Sequence, residues 1–398
     1  MVKKLDIEAL DIGMYVVNLD RPWLERPYLL NSRKIKNKKS IDKLKSSGIK
    51  YVFIDTGKGK DSRRAIALKE HENHINKHFI ERFKEQKKEI PGQNDEDFQN
   101  ELDKAMEAKA EANKVISGLI KDVSLGKNAD REKIYPLVDQ MVMSSLRNSD
   151  ALLSLALVKK YDNNTFIHLV NVGCLAISFG HFLGLEKGQL FQLGLGGILH
   201  DIGKIMVPQK ILKNSSPLLE EEFDILKLHV NQGIEYLSKN CKINSESINF
   251  VSEHHERWDG SGYPMGLKKN NISDFGQIAG ILDAYDVMTR GRAYCKKMNY
   301  FDAMKLLYEF SDTMFNKFYV EKFIECMGVY PEGSLVRLNN KKLAYVWKTH
   351  HQALLRPTVI VFYDLSSGQY LAPKRKDLGL PQHENLEIVS VEDSALKN

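Results

Sequence analysis

Seven side chains between positions 168 and 283 are of types that bind divalent metal ions. Imidazole nitrogens and carboxylate oxygens ligate iron, manganese, cobalt and zinc, and seven of them can hold two ions if one carboxylate bridges. No cysteine belongs to the set, whereas structural zinc sites often contain cysteine pairs. The pattern therefore predicts a metallohydrolase. The candidate ligands are His168, His200, Asp201, His229, His254, His255 and Asp283.

A lysine accompanies the central pair of candidate ligands. Lys204 follows His200 by four residues and Asp201 by three. On a helical turn, this spacing places the lysine ammonium on the same side as both ligands. Because an ammonium beside two metal ions can hold a phosphate oxygen, Lys204 is a candidate catalytic and substrate-binding residue.

The candidate histidines must be weighed against a purely structural role. Taken alone, His168 lies in a half-apolar stretch where a core histidine is the more common explanation. However, five of the six histidines from 168 to 255 belong to the candidate set, with His181 as the exception. This concentration favours a shared site. The pair His350-His351, in contrast, is expected to face solvent.

The composition indicates a cytoplasmic enzyme. The 398 residues, 42% of them hydrophobic, are enough for two or three domains. The four cysteines have no paired spacing, and neither a signal peptide nor an apolar run of about 18 residues for a membrane span is visible. The net charge of +6, from 58 basic and 52 acidic residues, gives little reason to expect DNA binding.

The elements that must position the candidate ligands differ along the chain. Short β-rich runs at both ends flank a region of amphipathic helices, and a stretch rich in Lys, Glu and Ala precedes that region. The predicted fold class is mainly α, with a helical catalytic domain, a small N-terminal α/β module and a short C-terminal β appendage. The predicted boundaries are 1–63 for the module, 64–134 for a charged helical linker, 135–330 for the helical domain and 331–398 for the β extension.

Two segments resemble a known family. His200–Lys204 reads HDIGK and His254–Pro264 reads HHERWDGSGYP. Together they resemble the HD-GYP domain, a branch of the HD metal-dependent phosphohydrolases, over roughly residues 135–331. Residues 1 to about 60 resemble an N-terminal domain that is often fused to HD-GYP proteins. The resemblance implies an HD-type helical catalytic domain with an accessory domain in front of it.

The resemblance also implies an activity. HD-GYP proteins hydrolyse cyclic di-GMP to the linear dinucleotide pGpG, often onward to GMP, with a hydroxide that bridges two metal ions. By this resemblance Asp201 bridges the ions and is catalytic, and Lys204 holds a nonbridging phosphate oxygen. The family pattern divides the other ligands into one set with His168, His200 and Asp283, and a second set with His229, His254 and His255.

Further substrate contacts are implied by the same resemblance. Arg292 is expected to grip the second phosphate, since a planar guanidinium suits paired oxygens. Tyr263 is expected to line the ligand site or to contact a partner protein. The family commonly has Pro-Tyr-Arg after this arginine, but here the residues at 293–296 are Ala-Tyr-Cys-Lys. The basic contact is therefore lost or moved to Lys296.

The number of metal ions is predicted from one departure. Family members with a third ion carry a glutamate four residues before the first histidine, where this chain has Asn164. A neutral amide replaces a carboxylate poorly, and Asp162 is less well placed. We therefore predict two divalent ions per chain, iron or manganese first, with zinc, cobalt and nickel as alternatives.

Several alternatives stay open. The chain could sense a cyclic dinucleotide with weak or no turnover, or it could hydrolyse cyclic GMP-AMP instead of cyclic di-GMP. A signalling protein at the Gly262-Tyr263-Pro264 loop and a second copy in a homodimer are the macromolecular partners considered. The N-terminal module could regulate, position or dimerise the catalytic domain, or be a folded accessory without its own activity.

Overall fold

The structure is a computed structural model. It describes residues 1–19, 33–46, 49–67, 95–125, 131–148, 152–153, 166–212, 218–241, 243–290, 298–350 and 353–392. Four residues considered above, Asp162, Asn164, Arg292 and Lys296, lie outside these ranges.

The N-terminal module is a five-stranded antiparallel sheet with one helix, α1 (Lys38–Ser46). Successive side chains of its strands point to opposite faces of the sheet. The face with Leu5, Val52 and Ile54 is buried in the module's own core. The strands are β1 (Val2–Asp6), β2 (Tyr15–Leu19), β3 (Arg33–Lys34), β4 (Tyr51–Asp55) and β5 (Ile66–Ala67), in the order β3-β2-β4-β1-β5.

The middle of the chain is helical, which confirms the predicted mainly α fold class. Ten further α-helices occur in the described part. Most of them share one core, with residues such as Ile116, Val138 and Leu193. The helix that contains Ile211 and the start of the helix that contains Phe223 pack in a smaller cluster. None of the described helices combines the length and apolar composition that a membrane crossing requires. The helices are α2 (Asp95–Ser124), α3 (Arg131–Arg147), α4 (Phe166–Phe182), α5 (Lys187–Leu199), α6 (Gln209–Leu212), α7 (Glu220–Asn240), α8 (Ser245–Glu253), α9 (Asp274–Arg290), α10 (Tyr300–Glu309) and α11 (Lys317–Met327).

Two of these helices form the centre of the domain. Side chains from His168 to Gly180 on α4 are buried on all sides, and so are those from Leu193 to Leu199 on α5. A helix that is apolar around its whole circumference must be enclosed by other elements. The polar residues His168 and His200, which lie on or next to these helices, are therefore held inside the protein.

The C-terminal part is a second five-stranded antiparallel sheet, in the order β10-β6-β7-β8-β9. Two of its strands, β9 and β10, are not visible as alternating runs in the sequence. β9 lies at the edge of the sheet. Exposed residues such as Lys374 and Arg375 therefore occupy positions where a half-buried strand would have apolar side chains. The strands are β6 (Leu335–Leu338), β7 (Lys342–Lys348), β8 (Thr358–Asp364), β9 (Gln369–Asp377) and β10 (Ile388–Val391).

His350, the first residue of the His350-His351 pair, was expected to face solvent but contacts polar side chains of this sheet. The Nε2 atom of His350 lies 3.1 Å from Oγ1 of Thr358 and 3.2 Å from Oδ1 of Asp377. The prediction that His350 faces solvent is therefore wrong, because strand pairing brings polar partners to it that are distant in sequence. His351 lies outside the described residues.

Candidate metal centre

The seven candidate ligands lie in two neighbouring clusters. Within each cluster, one donor atom from every residue lies within 4.8 Å of the others, and all of the residues are buried. The four-ligand cluster consists of Asp201, His229, His254 and His255. The three-ligand cluster consists of His168, His200 and Asp283.

Asp201 lies between the two clusters and faces both. Its Oδ1 atom is 3.3 Å from Nε2 of His229 and 3.6 Å from Nε2 of His254. Its Oδ2 atom is 3.6 Å from Nε2 of His200 and 3.9 Å from Nε2 of His168. One carboxylate therefore presents a separate oxygen to each cluster, which is the arrangement that a bridging ligand needs.

Backbone carbonyls orient three of the imidazole rings. The Nδ1 atoms of His200, His229 and His254 lie 2.8, 2.6 and 2.7 Å from carbonyl oxygens three residues earlier in the chain. Each Nδ1 must donate, so each neutral ring keeps its lone pair on Nε2. This tautomer leaves the Nε2 atoms ready to bind a metal.

The buried donor atoms of the four-ligand cluster fit a cation. Oδ1 of Asp201 and Nε2 of His229, His254 and His255 are buried, and none of them makes a hydrogen bond with a described residue. Burying four polar atoms without partners costs free energy unless something else binds them. A divalent metal with nitrogen and oxygen ligands satisfies all four.

A buried carboxylate that we did not assign from the sequence supports the three-ligand cluster. Oδ2 of Asp286 lies 2.6 Å from Nδ1 of His168, whose Nε2 is 3.1 Å from Oδ1 of Asp283. Asn171 donates to the other oxygen of Asp286 at 3.3 Å. A carboxylate on the far side of a ligating histidine fixes its ring and increases its basicity. The sequence could have indicated this role, since a separation of three residues places Asp283 and Asp286 on one face of α9.

Close packing brings Asp201 to His229. Asp201 precedes a 3₁₀ helix, Ile202–Met206, which crosses α7 at Gly203. A Cβ atom on Gly203 would lie 1.9 Å from the carbonyl oxygen of His229 and 2.6 Å from the nitrogen of Gly233. Only glycine allows this approach, so Gly203 sets the separation between the two ligands.

Lys204 contacts the bridging carboxylate directly. Its Nζ atom lies 2.8 Å from Oδ2 of Asp201, and the side chains of both residues are largely buried. The predicted proximity arises in the 3₁₀ helix, because α5 ends at Leu199. Burial raises the pKa of Asp201, but the Lys204 ammonium and the neighbouring rings of His200, His229 and His254 hold that pKa well below its usual range.

The surroundings set the charge of the other ligands. Burial lowers the pKa of His200 to about 3 and also holds the pKa of His255 well below its usual range. Burial raises the pKa of Asp283, but the hydrogen bond from His168 lowers it below its usual range. For His168, burial lowers the pKa, and the bonds to Asp283 and Asp286 outweigh that effect and raise it. Two neutral histidines and two ionised aspartates are the forms in which these groups bind metals.

The Gly262-Tyr263-Pro264 loop lies against the four-ligand cluster. The ring of Tyr263 stacks on that of His255, with centroids 4.5 Å apart and an interplanar angle of 27°. Gly262 is required for space, since its Cβ would lie 2.4 Å from the nitrogen of Arg257. The structure therefore places Tyr263 beside the candidate ligands.

A second carboxylate that we did not assign from the sequence shapes this loop. Glu256 is 3% exposed, and its oxygens accept hydrogen bonds from the backbone N–H groups of Met265, Gly266 and Leu267 at 2.7, 3.1 and 2.9 Å. Burial raises the pKa of Glu256 against the opposing effect of these donors. These three hydrogen bonds connect Glu256, which precedes the loop, to residues 265–267 at its other end.

The predicted site residues thus divide into two groups. The structure brings together the seven candidate ligands, Lys204 and Tyr263. The predicted substrate contacts Arg292 and Lys296 lie outside the described residues, as do Asn164 and Asp162, on which the metal number was argued.

Comparisons with known proteins identify the family. Residues 142–316 match the model of the HD domain, and residues 2–134 match a domain of unknown function (DUF3391). A cyclic di-GMP phosphodiesterase of Pseudomonas aeruginosa is 30% identical over 385 residues, which are 95% of this chain and 89% of that protein. This chain belongs to the HD-GYP branch of the HD domain family. The resemblance stated from the sequence is confirmed.

Other relatives match shorter stretches of the chain. A cyclic di-GMP phosphodiesterase of Thermotoga maritima is 34% identical over 165 residues, or 41% of this chain and 45% of that protein. A 3'3'-cGAMP-specific phosphodiesterase of Vibrio cholerae is 30% identical over 138 residues, or 34% of this chain and 26% of that protein. The HD-GYP relatives therefore include proteins named for two different cyclic dinucleotides.

Proposed function

We propose that this HD-GYP protein is a metal-dependent phosphodiesterase that hydrolyses cyclic di-GMP to pGpG and then pGpG to GMP. The observation that carries the proposal is the position of Asp201, which offers one oxygen to each ligand cluster and lies 2.8 Å from the Lys204 ammonium. The name of the relative that matches 95% of the chain supports the choice of cyclic di-GMP.

We further propose that two divalent ions bind per chain, one in each cluster, with iron or manganese as the native metal. Five imidazoles and two carboxylates suit these ions, and zinc, cobalt and nickel bind the same donors. When bound, the two ions acidify a water molecule and polarise the phosphoryl group. The burial of every ligand supports tight binding.

The chain's own residues hold the substrate and balance its charge. The Lys204 ammonium, next to Asp201, is placed to contact a nonbridging phosphate oxygen and offset the negative charge that develops on it. The Tyr263 ring, which covers His255, offers a flat surface to a guanine base. The proposed Arg292 and Lys296 contacts would bind the second phosphate.

We place the enzyme in the cytoplasm. The described cysteines Cys174, Cys241 and Cys326 are buried free thiols, which supports a reducing compartment. A homodimer and a signalling partner at the Gly262-Tyr263-Pro264 loop stay predictions.

The test uses the full chain, depleted of metal and reloaded with Mn²⁺ or Fe²⁺ under reducing conditions. Separate incubations contain cyclic di-GMP, 3'3'-cGAMP and pGpG, and chromatography identifies the products. We expect pGpG from cyclic di-GMP, followed by GMP, and loss of both products in Asp201→Ala. His181→Ala is the matched control, because His181 contacts Ser145 at 3.2 Å and belongs to neither cluster.

Two outcomes would overturn the proposal. If protein with measured metal content gives no product but binds cyclic di-GMP in calorimetry, the chain is a sensor of the dinucleotide. If only 3'3'-cGAMP is cleaved, the reaction class stands and the proposed substrate is wrong.

A further inference from the structure

The second face of the N-terminal sheet is turned towards the catalytic domain. On β4, Tyr51 and Phe53 alternate with the fully buried Val52, and their rings contact each other at 5.6 Å. Lys4 on β1 pairs with Phe53 across the strands, so its side chain shares that face. Tyr51 packs against the core of the catalytic domain. The module is therefore in contact with the HD-GYP domain through a defined set of side chains.

An ion pair and a ring stack form the contact. Nζ of Lys4 lies 2.6 Å from Oε1 of Glu309, and these side chains are 16% and 17% exposed. The same ammonium lies 3.4 Å from the centre of the Tyr51 ring. Tyr51 stacks on Phe310 with centroids 6.1 Å apart and an interplanar angle of 17°. A sheltered ion pair with a cation–π partner is more specific than an exposed one.

The contacted residues begin a tight turn that reaches the active-site loop. The Phe310 carbonyl accepts hydrogen bonds from the N–H groups of Met314 and Phe315 at 2.9 and 3.3 Å. The Met314 carbonyl in turn accepts the N–H of Trp258 at 2.9 Å. Trp258 lies three residues after the candidate ligand His255. The turn 310–315 and the segment that contains Trp258 thus connect the module to the metal centre.

A buried arginine completes the connection. The guanidinium of Arg257 lies 5.7 Å from the ring centre of Phe315, at the end of the turn. Its Nη1 donates to the carbonyl oxygens of His254 and Glu256 at 2.9 and 2.7 Å. Arg257 therefore joins the turn to the backbone of a candidate ligand and to the residue that holds the Tyr263 loop.

We propose that the N-terminal module positions the active-site loop 257–267, acting through Lys4–Glu309 and Tyr51–Phe310 on the turn 310–315. A second ion pair, between Lys50 of the module and Asp259 of the loop at 3.7 Å, supports the same contact at the loop itself. Lys4 and Glu309 are positioning residues, since neither touches the ligand clusters.

Trp258 reports on the loop without any enzymatic activity. The chain has three tryptophans, so Trp23→Phe and Trp347→Phe together leave Trp258 as the sole tryptophan, which is excited selectively at wavelengths where tyrosine does not absorb. In this background we would measure acrylamide quenching of Trp258 in Lys4→Met, Glu309→Gln and the double variant. We expect both single variants to change the quenching constant, and the double variant to match a single variant, because both act through one pair.

Steady-state kinetics with cyclic di-GMP provide the second readout. We expect kcat/KM to fall about threefold to tenfold in Lys4→Met and Glu309→Gln, the size of effect that residues along a coupled path produce. The metal content and thermal unfolding of the variants establish that they fold. Lys3→Met is the matched control, because Lys3 pairs with Asp61 inside the module at a similar 2.6 Å.

The proposal is overturned if Lys4→Met and Glu309→Gln have the Trp258 quenching and kcat/KM of Lys3→Met. It is equally overturned if the effects of the two single variants add in the double variant. A chain without phosphodiesterase activity would contradict the proposed function, and the fluorescence result would still decide the role of the module.

Discussion

Oδ2 of Asp286 lies 2.6 Å from Nδ1 of His168, one helical turn after the candidate ligand Asp283 on α9. A single helix thus provides both a ligand of the three-ligand cluster and the carboxylate that orients its neighbour. Arg290, one turn further, lies 3.6 Å from the same Asp286 oxygen. The metal centre extends beyond the seven residues that were recognised by type.

We predict that Asp286→Asn weakens metal binding at the three-ligand cluster about tenfold to a hundredfold. The amide cannot accept a charged hydrogen bond from His168, so the ring loses its orientation and basicity. Competition with a chelator, followed by metal analysis, measures the change. Asp274→Asn, at the exposed start of the same helix, should bind metal as the unmodified chain does. Equal affinities in the two variants would contradict the role of Asp286.

Lys204→Met should lower kcat for cyclic di-GMP on the order of 10²- to 10³-fold and leave the metal content unchanged. The variant loses the ammonium that contacts phosphate, while the candidate ligands stay in place. Initial rates and metal analysis on the same preparation check both parts. Lys210→Met removes an exposed lysine on α6 and should have normal kcat. Loss of metal in Lys204→Met would assign the residue to site assembly instead of to substrate.

The two clusters predict a stepwise pattern of metal loss. We expect about two ions per unmodified chain, about one in His168→Ala or His255→Ala, and fewer than one in Asp201→Ala, because Asp201 faces both clusters. Mass spectrometric metal quantification after loading and dialysis decides this. Three ions in the unmodified chain would contradict the dinuclear proposal.

Gly203→Ala should lower the free energy of unfolding of the metal-free protein by about 1–3 kcal/mol. The added methyl would lie 1.9 Å from the carbonyl oxygen of His229, so the 3₁₀ helix must move away from α7. Urea unfolding followed by circular dichroism measures the change. In Gly188→Ala, on α5, the methyl meets no atom within 4 Å, so stability should rise by up to about 1 kcal/mol. Similar losses in both variants would rule out the packing explanation.

Glu256→Gln should loosen the Tyr263 loop. A neutral amide accepts weaker hydrogen bonds than a carboxylate, so the three N–H groups of Met265–Leu267 lose protection. Hydrogen exchange read by mass spectrometry should show faster exchange of the peptide that covers these amides. Glu107→Gln, an exposed substitution on α2, should leave that exchange unchanged. Unchanged exchange in Glu256→Gln would show that other contacts hold the loop.

The residue types, the motif spacings and the helical character of the middle of the chain were readable from the sequence. The seven candidate ligands could be selected because imidazole and carboxylate groups are the donors that such metals prefer. The proximity of Lys204 to Asp201 could be expected because a separation of three residues is local in any helical turn. Such conclusions depend on the covalent chain and on short-range geometry.

The tertiary structure alone decided the contacts between distant segments. The His168–Asp286 pair joins residues 118 positions apart, and the Lys4–Glu309 pair joins residues 305 positions apart. Spacing along the chain carries no information about such pairs, because they form only when separate elements bury their faces against each other. The edge strand β9 was missed for a related reason: its side chains are exposed, so no burial imposed an alternating pattern on them.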